Sequence, residues 1–232
     1  YEMMDSLNPY SVDDLLNAHA VMTKGLTEES GCFRSGPVGV VDKQGNILHF
    51  GTLPDYAPGL TMELLDWIKD SNIHMLIKSC VFHYELEVIH PFADGNGRMG
   101  RMWQTLLLMQ WKPVFAWIPV ETIVKEHQQE YYDAIAKSDA EANSTAFITF
   151  MLQCLKQALL EMEESNQKSN QKSNQKILVA MRRNPQVTIR ELQEETGLSE
   201  SGVKKIIRQL RGEGLVQRIG GAKGGHWEVR QE

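Results

Sequence analysis

The sequence predicts a mainly α-helical protein: a helical domain carrying one β-hairpin, followed by a smaller domain of three helices and a terminal hairpin. Three observations carry that reading. Apolar residues recur at helical spacing over most of the first 160 positions. One pair of short β-rich runs interrupts them near Gly45. Composition and charge then break at a triple SNQK repeat. Residues 1–164 carry 11 Lys and Arg against 23 Asp and Glu, whereas 165–232 carry 13 against 7, net charges of −12 and +6. An acidic body with a basic tail points nucleic acid, if any is bound, to the tail.

Taken in order, residues 11–25 read as a helix, with Ser11 as N-cap, Asp13 and Asp14 in the first turn, and Leu15, Ala18 and Met22 on one face. His19 lies near that face and reads as a satisfied histidine rather than a ligand. From Gly36 to Pro54 the run VGVV-DKQGN-ILHFGTLP is a β-hairpin signal around Gly45. Its free edge could receive an extended peptide, or only close a gap. A helix with Leu64, Leu65, Trp67 and Ile68 follows, then one over Ile73–Ile89 in which Leu76, Cys80, Val81 and Tyr84 face a core and His83 is structural. RMGRMWQTLLLMQW is apolar nearly all round and reads as the central buried helix, with Met102, Trp103 and Met109 as packing. Pro113 and Pro119 break the chain, Val120–Ser138 reads as one helix, and Phe147–Glu164 as another.

SNQK at Ser165, Ser169 and Ser173 has nothing to bury and reads as a polar linker over 163–176, irregular or helical in part, dividing a domain at 1–162 from one at 177–232. In the tail, ILVAMRRNP is a helix stopped by Pro185. TIRELQEETG is a second, with Thr188 as N-cap, Glu191 completing a capping box and Gly197 as its stop. SESGVKKIIRQLRGEG is a third, and LVQRIGG-AKGG-HWEVR is a hairpin. This order resembles the winged helix-turn-helix domain. Its recognition helix would be Ser201–Arg211, with Lys204, Lys205, Arg208 and Arg211 toward DNA. Such domains also serve in dimerisation or protein docking.

The stretch richest in chemistry is His90–Arg101, HPFADGNGRMGR. Pro91 ends the preceding helix, and the next opens near Gly97, aiming unpaired N–H groups and a partial positive charge into the loop. Gly95 and Gly97 permit close backbone approach to a phosphate, and Asn96 can add a side-chain donor. Asp94, the lone acid, makes sense if a divalent cation such as Mg²⁺ sits between it and phosphate oxygens. Arg98 and Arg101, three apart, share a face and would neutralise the distal phosphates of a triphosphate. His90 has the pKa range of a general base for a hydroxyl attacking phosphorus. A Walker loop is excluded because no Lys-Ser/Thr follows the glycines, and a kinase because HRD and DFG are missing.

HPFADGNGRMGR resembles the signature of the Fic family, HPFx(D/E)GN(G/K)RxxR, at every defined position, and the upstream hairpin sits where that family has its target-docking flap. The resemblance covers about residues 10–162. It implies a nucleotidyltransferase that moves AMP from ATP to a Ser, Thr or Tyr hydroxyl of a target protein, another chain or itself, with pyrophosphate leaving. By the same resemblance His90 would be the base and Asp94 the Mg²⁺ ligand. Gly95, Asn96 and Gly97 would form the anion hole, and Arg98 and Arg101 would hold the outer phosphates. Tyr131 and Tyr132 match a paired tyrosine near the nucleoside, or are core. Many relatives carry an inhibitory (S/T)xxxE(G/N) helix whose glutamate pairs with the second arginine. Thr27–Gly31, TEESG, fails that pattern, so the expectation is that this helix was trimmed away or comes from another chain, leaving Arg101 unrestrained.

Two other readings stay open: a DNA-binding transcriptional regulator whose Fic-like domain senses nucleotide, and a related enzyme using another nucleotide donor or removing AMP. Both domain types often pair, so a homodimer is an expectation. No apolar run reaches the ~20 residues needed to span a bilayer and there is no signal-peptide pattern. Three scattered cysteines, Cys32, Cys80 and Cys154, suit reduced thiols, and with them a cytoplasmic location.

Overall fold

The computed structural model describes residues 4–41, 47–118, 120–221 and 224–230. Two compact units divide between Leu160 and Glu161. The turn around Gly45, and Pro119, lie outside the described residues.

The first unit opens with α1 (Val12–Met22), whose N-cap Ser11 accepts from the Asp14 amide and whose Leu15 and Ala18 are buried. β1 (Gly39–Val41) and β2 (Ile47–Phe50) pair antiparallel, with an irregularity between Val40 and Val41. α2 (Ala57–Asp70) has Pro58 in its first turn, where the missing N–H costs nothing. Its last carbonyls are closed by the buried Lys78, whose Nζ donates to Ile68 O at 2.7 Å. A cation at a helix C-terminus meets the negative end of the dipole.

α3 (Met75–Ile89) and α4 (Asn96–Trp111) form the centre of the core. Phe82, Leu86, Trp103, Leu106 and Leu107 are all fully or almost fully buried. The Trp103 indole still finds a partner, donating to Pro9 O at 3.0 Å. Because α3 and α4 are enclosed by this packing, the loop joining them is held at both ends by the core.

A short 3-10 turn (Pro113–Trp117) leads to α5 (Val120–Glu126) and α6 (Gln128–Ala140). The single helix expected over Val120–Ser138 is thus two. His127 breaks it with φ −107° and ψ 35°, and its Nδ1 lies 2.9 Å from Glu130 Oε2.

The SNQK repeats are helical throughout, where the expectation allowed helix only in part. They lie inside α7, a continuous helix from Thr145 to Arg183. Ser, Asn, Gln and Lys include no Gly or Pro to stop a helix, and a repeat of four keeps like positions one turn apart. Polar all round here, the segment propagates from helix already formed on each side, which spares it the cost of nucleation.

The second unit packs Ile177, Ala180 and Met181 of α7 against α8 (Ile189–Thr196) and α9 (Glu200–Gly212). The Thr188–Glu191 capping box is formed in both directions, and Gly197 ends α8 in the left-handed region. Ser199 caps α9. β3 (Val216–Ile219) and β4 (His226–Val229) pair antiparallel as the wing. Trp227 anchors it, its backbone N–H donating to Pro185 O at 2.7 Å and its indole to Val187 O at 3.2 Å.

Candidate active site

A cleft of about 500 Å³ lies over the N-terminus of α4. His90, Asp94, Gly95, Asn96, Gly97, Arg98, Arg101, Tyr131 and Tyr132 all line it, joined by Glu87, Glu121, Val124, Lys125 and Gln128, and by Gly39 of the hairpin. Every candidate residue of the first domain therefore meets in one place.

His90 is the C-cap of α3 and takes a left-handed conformation, φ 52° and ψ 59°. Its Nδ1 lies 3.1 Å from the Glu87 carbonyl, an acceptor, which makes Nδ1 the protonated nitrogen. Its own carbonyl accepts from Arg34 Nε at 2.6 Å.

Arg34 escaped the sequence reading. It is 3% exposed, and its guanidinium also reaches Gly36 O at 2.7 Å and Thr52 O at 2.5 Å. One side chain thus ties the end of α3 to both ends of the hairpin. Burial pulls its pKa down from the ordinary value, though the charge is retained. A single arginine between Phe33 and Ser35 has no local pattern that announces this role.

The loop itself is locked from inside. Asn96 is buried, its Oδ1 accepting from the Phe92 amide at 2.9 Å and its Nδ2 donating to Phe92 O at 2.8 Å. One side-chain N–H of Asn96 is therefore engaged within the loop, and its backbone N–H faces the start of α4. That N–H, with those of Gly97 and Arg98, precedes the first helical bond, Met99 N to Gly95 O. Gly95 adopts φ 89°, which a side chain would resist. His19, read as a satisfied histidine, is buried and stacked on Phe92, with Nε2 2.9 Å from Asp94 O and Nδ1 accepting from Gly31 N. Burial lowers its pKa, consistent with a neutral ring in both bonds.

Each motif arginine has an acid. Arg98 Nη2 lies 3.0 Å from Asp94 Oδ2, and Arg101 Nε 3.0 Å from Glu121 Oε1. The two arginines share a helix face but point to different partners. Arg101 is not unrestrained: α5 supplies a carboxylate from within this chain.

Behind His90, Glu87 is buried and accepts from the Tyr131 hydroxyl at 3.0 Å. Its Oε2 stands 3.8 Å from His90 Nδ1, its Oε1 3.8 Å from His83 Nε2. Burial alone would raise its pKa, but His83, His90 and Tyr131 outweigh that and hold it below the ordinary carboxylate value. Burial, then the Glu87 charge, push the Tyr131 phenol well above its usual range. His83 is buried and fixed by Gln104, its Nδ1 2.8 Å from Oε1, which fits the structural role read for it. Tyr131 thus belongs to both readings made of it, buried in the core and lining the cleft, while Tyr132 is half-buried. Among the described residues no group of three or more His, Cys, Asp or Glu could hold a metal by itself. No helix among them is long and apolar enough to cross a membrane.

In the tail, Lys204, Lys205, Arg208 and Arg211 are exposed on α9, opposite the buried Val203, Ile206, Ile207 and Leu210. Lys204 is paired with Glu200 one turn earlier.

Residues 9–108 match the model of the Fic/DOC family, and residues 171–217 that of winged helix-turn-helix DNA-binding domains. Among curated proteins, "Protein adenylyltransferase fic-1" of Caenorhabditis elegans is 31% identical over 131 residues, 54% of this chain and 23% of that protein. "Protein adenylyltransferase Fic" of Nematostella vectensis is 28% identical over 153 residues, 64% of this chain and 33% of that one. The chain thus spans between about a quarter and a third of these relatives' length. Among solved structures, that of a Fic family protein from Desulfovibrio desulfuricans G20 covers 100% of this chain and 72% of its own, at 34% identity and a TM-score of 0.69.

Proposed function

The chain belongs to the Fic family, and from that premise we propose that it is a protein adenylyltransferase, moving AMP from ATP to a Ser, Thr or Tyr hydroxyl of a target protein. The observation that carries this is the intact HPFADGNGRMGR loop at the N-terminus of α4, with His90 on the rim of the same cleft.

In this reading the backbone N–H groups of Asn96 and Gly97 receive the α- and β-phosphates at the positive end of the α4 dipole, joined by that of Gly95 once it releases Asp94 Oδ1, to which it donates at 2.6 Å. Arg98 and Arg101 exchange their carboxylate partners for the outer phosphate oxygens. His90 Nε2 takes the proton as the hydroxyl oxygen bonds to the α-phosphorus. The bridging α–β P–O bond breaks, its electron pair leaving with pyrophosphate. The donor set fits Mg²⁺, since one carboxylate, Asp94, stands at the phosphate loop and such an ion takes its other ligands from phosphate and water. Mg²⁺ when bound there neutralises charge on the phosphates. The target's hydroxyl-bearing segment is received along the β1–β2 hairpin, whose Gly39 borders the cleft.

Incubation with Mg²⁺ and α-labelled ATP should label protein, with a mass gain equal to AMP. His90→Ala should abolish labelling while leaving the melting transition in place. Labelling that survives the substitution rejects the assigned role.

A second reading rests on the winged-helix match and the exposed basic face of α9. The tail binds duplex DNA, and the protein acts as a regulator whose Fic domain senses nucleotide. It predicts a specific, salt-dependent complex lost on joint substitution of Lys204 and Lys205.

A further inference from the structure

Glu87 is a buried carboxylate that the steps above do not use. Burying a carboxylate costs several kcal/mol unless partners compensate. A glutamine there could accept the Tyr131 hydroxyl equally well, so the negative charge itself calls for an explanation.

Its position supplies one. Glu87 precedes His90 by one helical turn, and from the same side of the imidazole it offers two acceptors: its carbonyl 3.1 Å from Nδ1 and its Oε2 3.8 Å from Nδ1. The other oxygen is aimed by Tyr131 of α6 at 3.0 Å and flanked by His83, itself held by Gln104 of α4. α4 leaves room for the group: a Cβ at Gly97 would lie 3.2 Å from Glu87 Oε1, and one at Gly100 3.5 Å. Among the described residues, the titratable or charged side chains facing Glu87 are His83 and His90 from its own helix, Tyr131 from α6, and Arg101 from α4, whose Nη1 lies 3.0 Å from that same Gly97 Cβ position. Arg101 is already engaged by Glu121 at 3.0 Å. His90 is the group that changes charge during the proposed reaction.

We infer that Glu87 is a positioning residue for His90: its carboxylate, steered by Tyr131, holds the imidazole with Nδ1 protonated and balances the positive charge that Nε2 acquires with the substrate proton. The inference rests on the reading of His90 as the base. The proton goes from the substrate hydroxyl to Nε2; Nδ1 keeps its own, and Glu87 stays ionised throughout.

The sign of the effect is fixed. A negative charge beside the ring favours the imidazolium, so removing it lowers the pH at which His90 titrates. Two readouts follow. In the resting protein, the His90 ring should titrate about one pH unit lower in Glu87→Gln than in the wild type, as followed by NMR of labelled histidine. In the labelling assay, the acid limb of kcat/KM should move down by the same interval, and the plateau should fall by up to roughly tenfold as the base weakens. Tyr131→Phe, which keeps the charge but releases its aim, should move both in the same direction by less, and it decides the matter if Glu87→Gln does not fold.

A lower plateau with an unmoved limb and an unmoved His90 titration in either folded variant overturns the inference, because a purely structural loss would do that. The NMR readout needs no adenylyl transfer. A shifted titration in a protein that transfers no AMP leaves the positioning standing and rejects the transferase reading alone.

Discussion

Arg101 Nε donates to Glu121 Oε1 at 3.0 Å, a contact that reaches from α4 to α5 along the wall of the cleft. Glu121 is about half exposed, at 47%, so the pair is screened and worth at most about 1 kcal/mol. In the proposed reaction Arg101 must release Glu121 to take an outer phosphate. Glu121→Gln should therefore lower KM for ATP by up to about fivefold and leave kcat near the wild-type value. Initial rates against ATP concentration measure both. A raised KM would mean that Glu121 itself contacts the nucleotide.

Arg34→Met should destabilise the protein by about 2–3 kcal/mol, since it removes the donors to the part-buried carbonyls of His90, Gly36 and Thr52. Urea unfolding checks the stability. At urea-free concentrations where the variant is folded, kcat should also fall, because the same bonds fix the end of α3 on which His90 stands.

Gly100→Ala sets two effects against each other. Alanine gains up to about 1 kcal/mol in a helix interior. Its Cβ, however, would lie 2.6 Å from the His83 ring, which is buried and pinned by Gln104. Overpacking against a fixed group costs about 1–3 kcal/mol. The clash wins, and a thermal melt should show a Tm lower by a few degrees.

The three thiols should separate cleanly. Burial pushes Cys80 up to about 12 and Cys154 to about 11, whereas Cys32 is exposed. Thiolate is the reactive form. At pH 8 a colorimetric disulfide reagent should titrate one thiol per native chain quickly and the other two only after denaturation. Cys32→Ser should remove the fast phase.

On the tail, Lys205→Ala and Arg208→Ala should each weaken duplex binding across sequences and reduce the slope of log K against log salt by about one. Lys204→Ala should do less, since Glu200 already offsets its charge. Fluorescence anisotropy at three salt concentrations separates these outcomes.

Periodicity located the helices on either side of the motif, because their apolar faces are packed and packing is what the pattern encodes. Local chemistry located caps such as Ser11, Thr188 and Gly197, since a cap is decided within four residues. The continuity of α7 was hidden, as polar repeats carry no periodic signal and the helix is supported from its ends. The break at His127 was hidden too, there being no Gly or Pro to mark it. In the site, the motif residues were legible because their spacing is local. Arg34, Glu87 and Glu121 were not, as their roles arise from contacts between elements distant in sequence: Arg34 reaches 56 positions to His90, and Tyr131 reaches 44 to Glu87. Asn96 was read outward, toward a ligand, when its amide serves the loop.

The backbone at His90 has φ 52° and ψ 59°. A residue with a β-carbon holds that corner at a cost of about 1 kcal/mol, and glycine or asparagine would hold it for less. Stability alone would therefore replace this histidine. His90→Asn, which relaxes that corner while keeping a side-chain donor near the Glu87 carbonyl, should melt close to the wild-type temperature while being inert, so the fold carries its imidazole as a standing tension between endurance and reactivity.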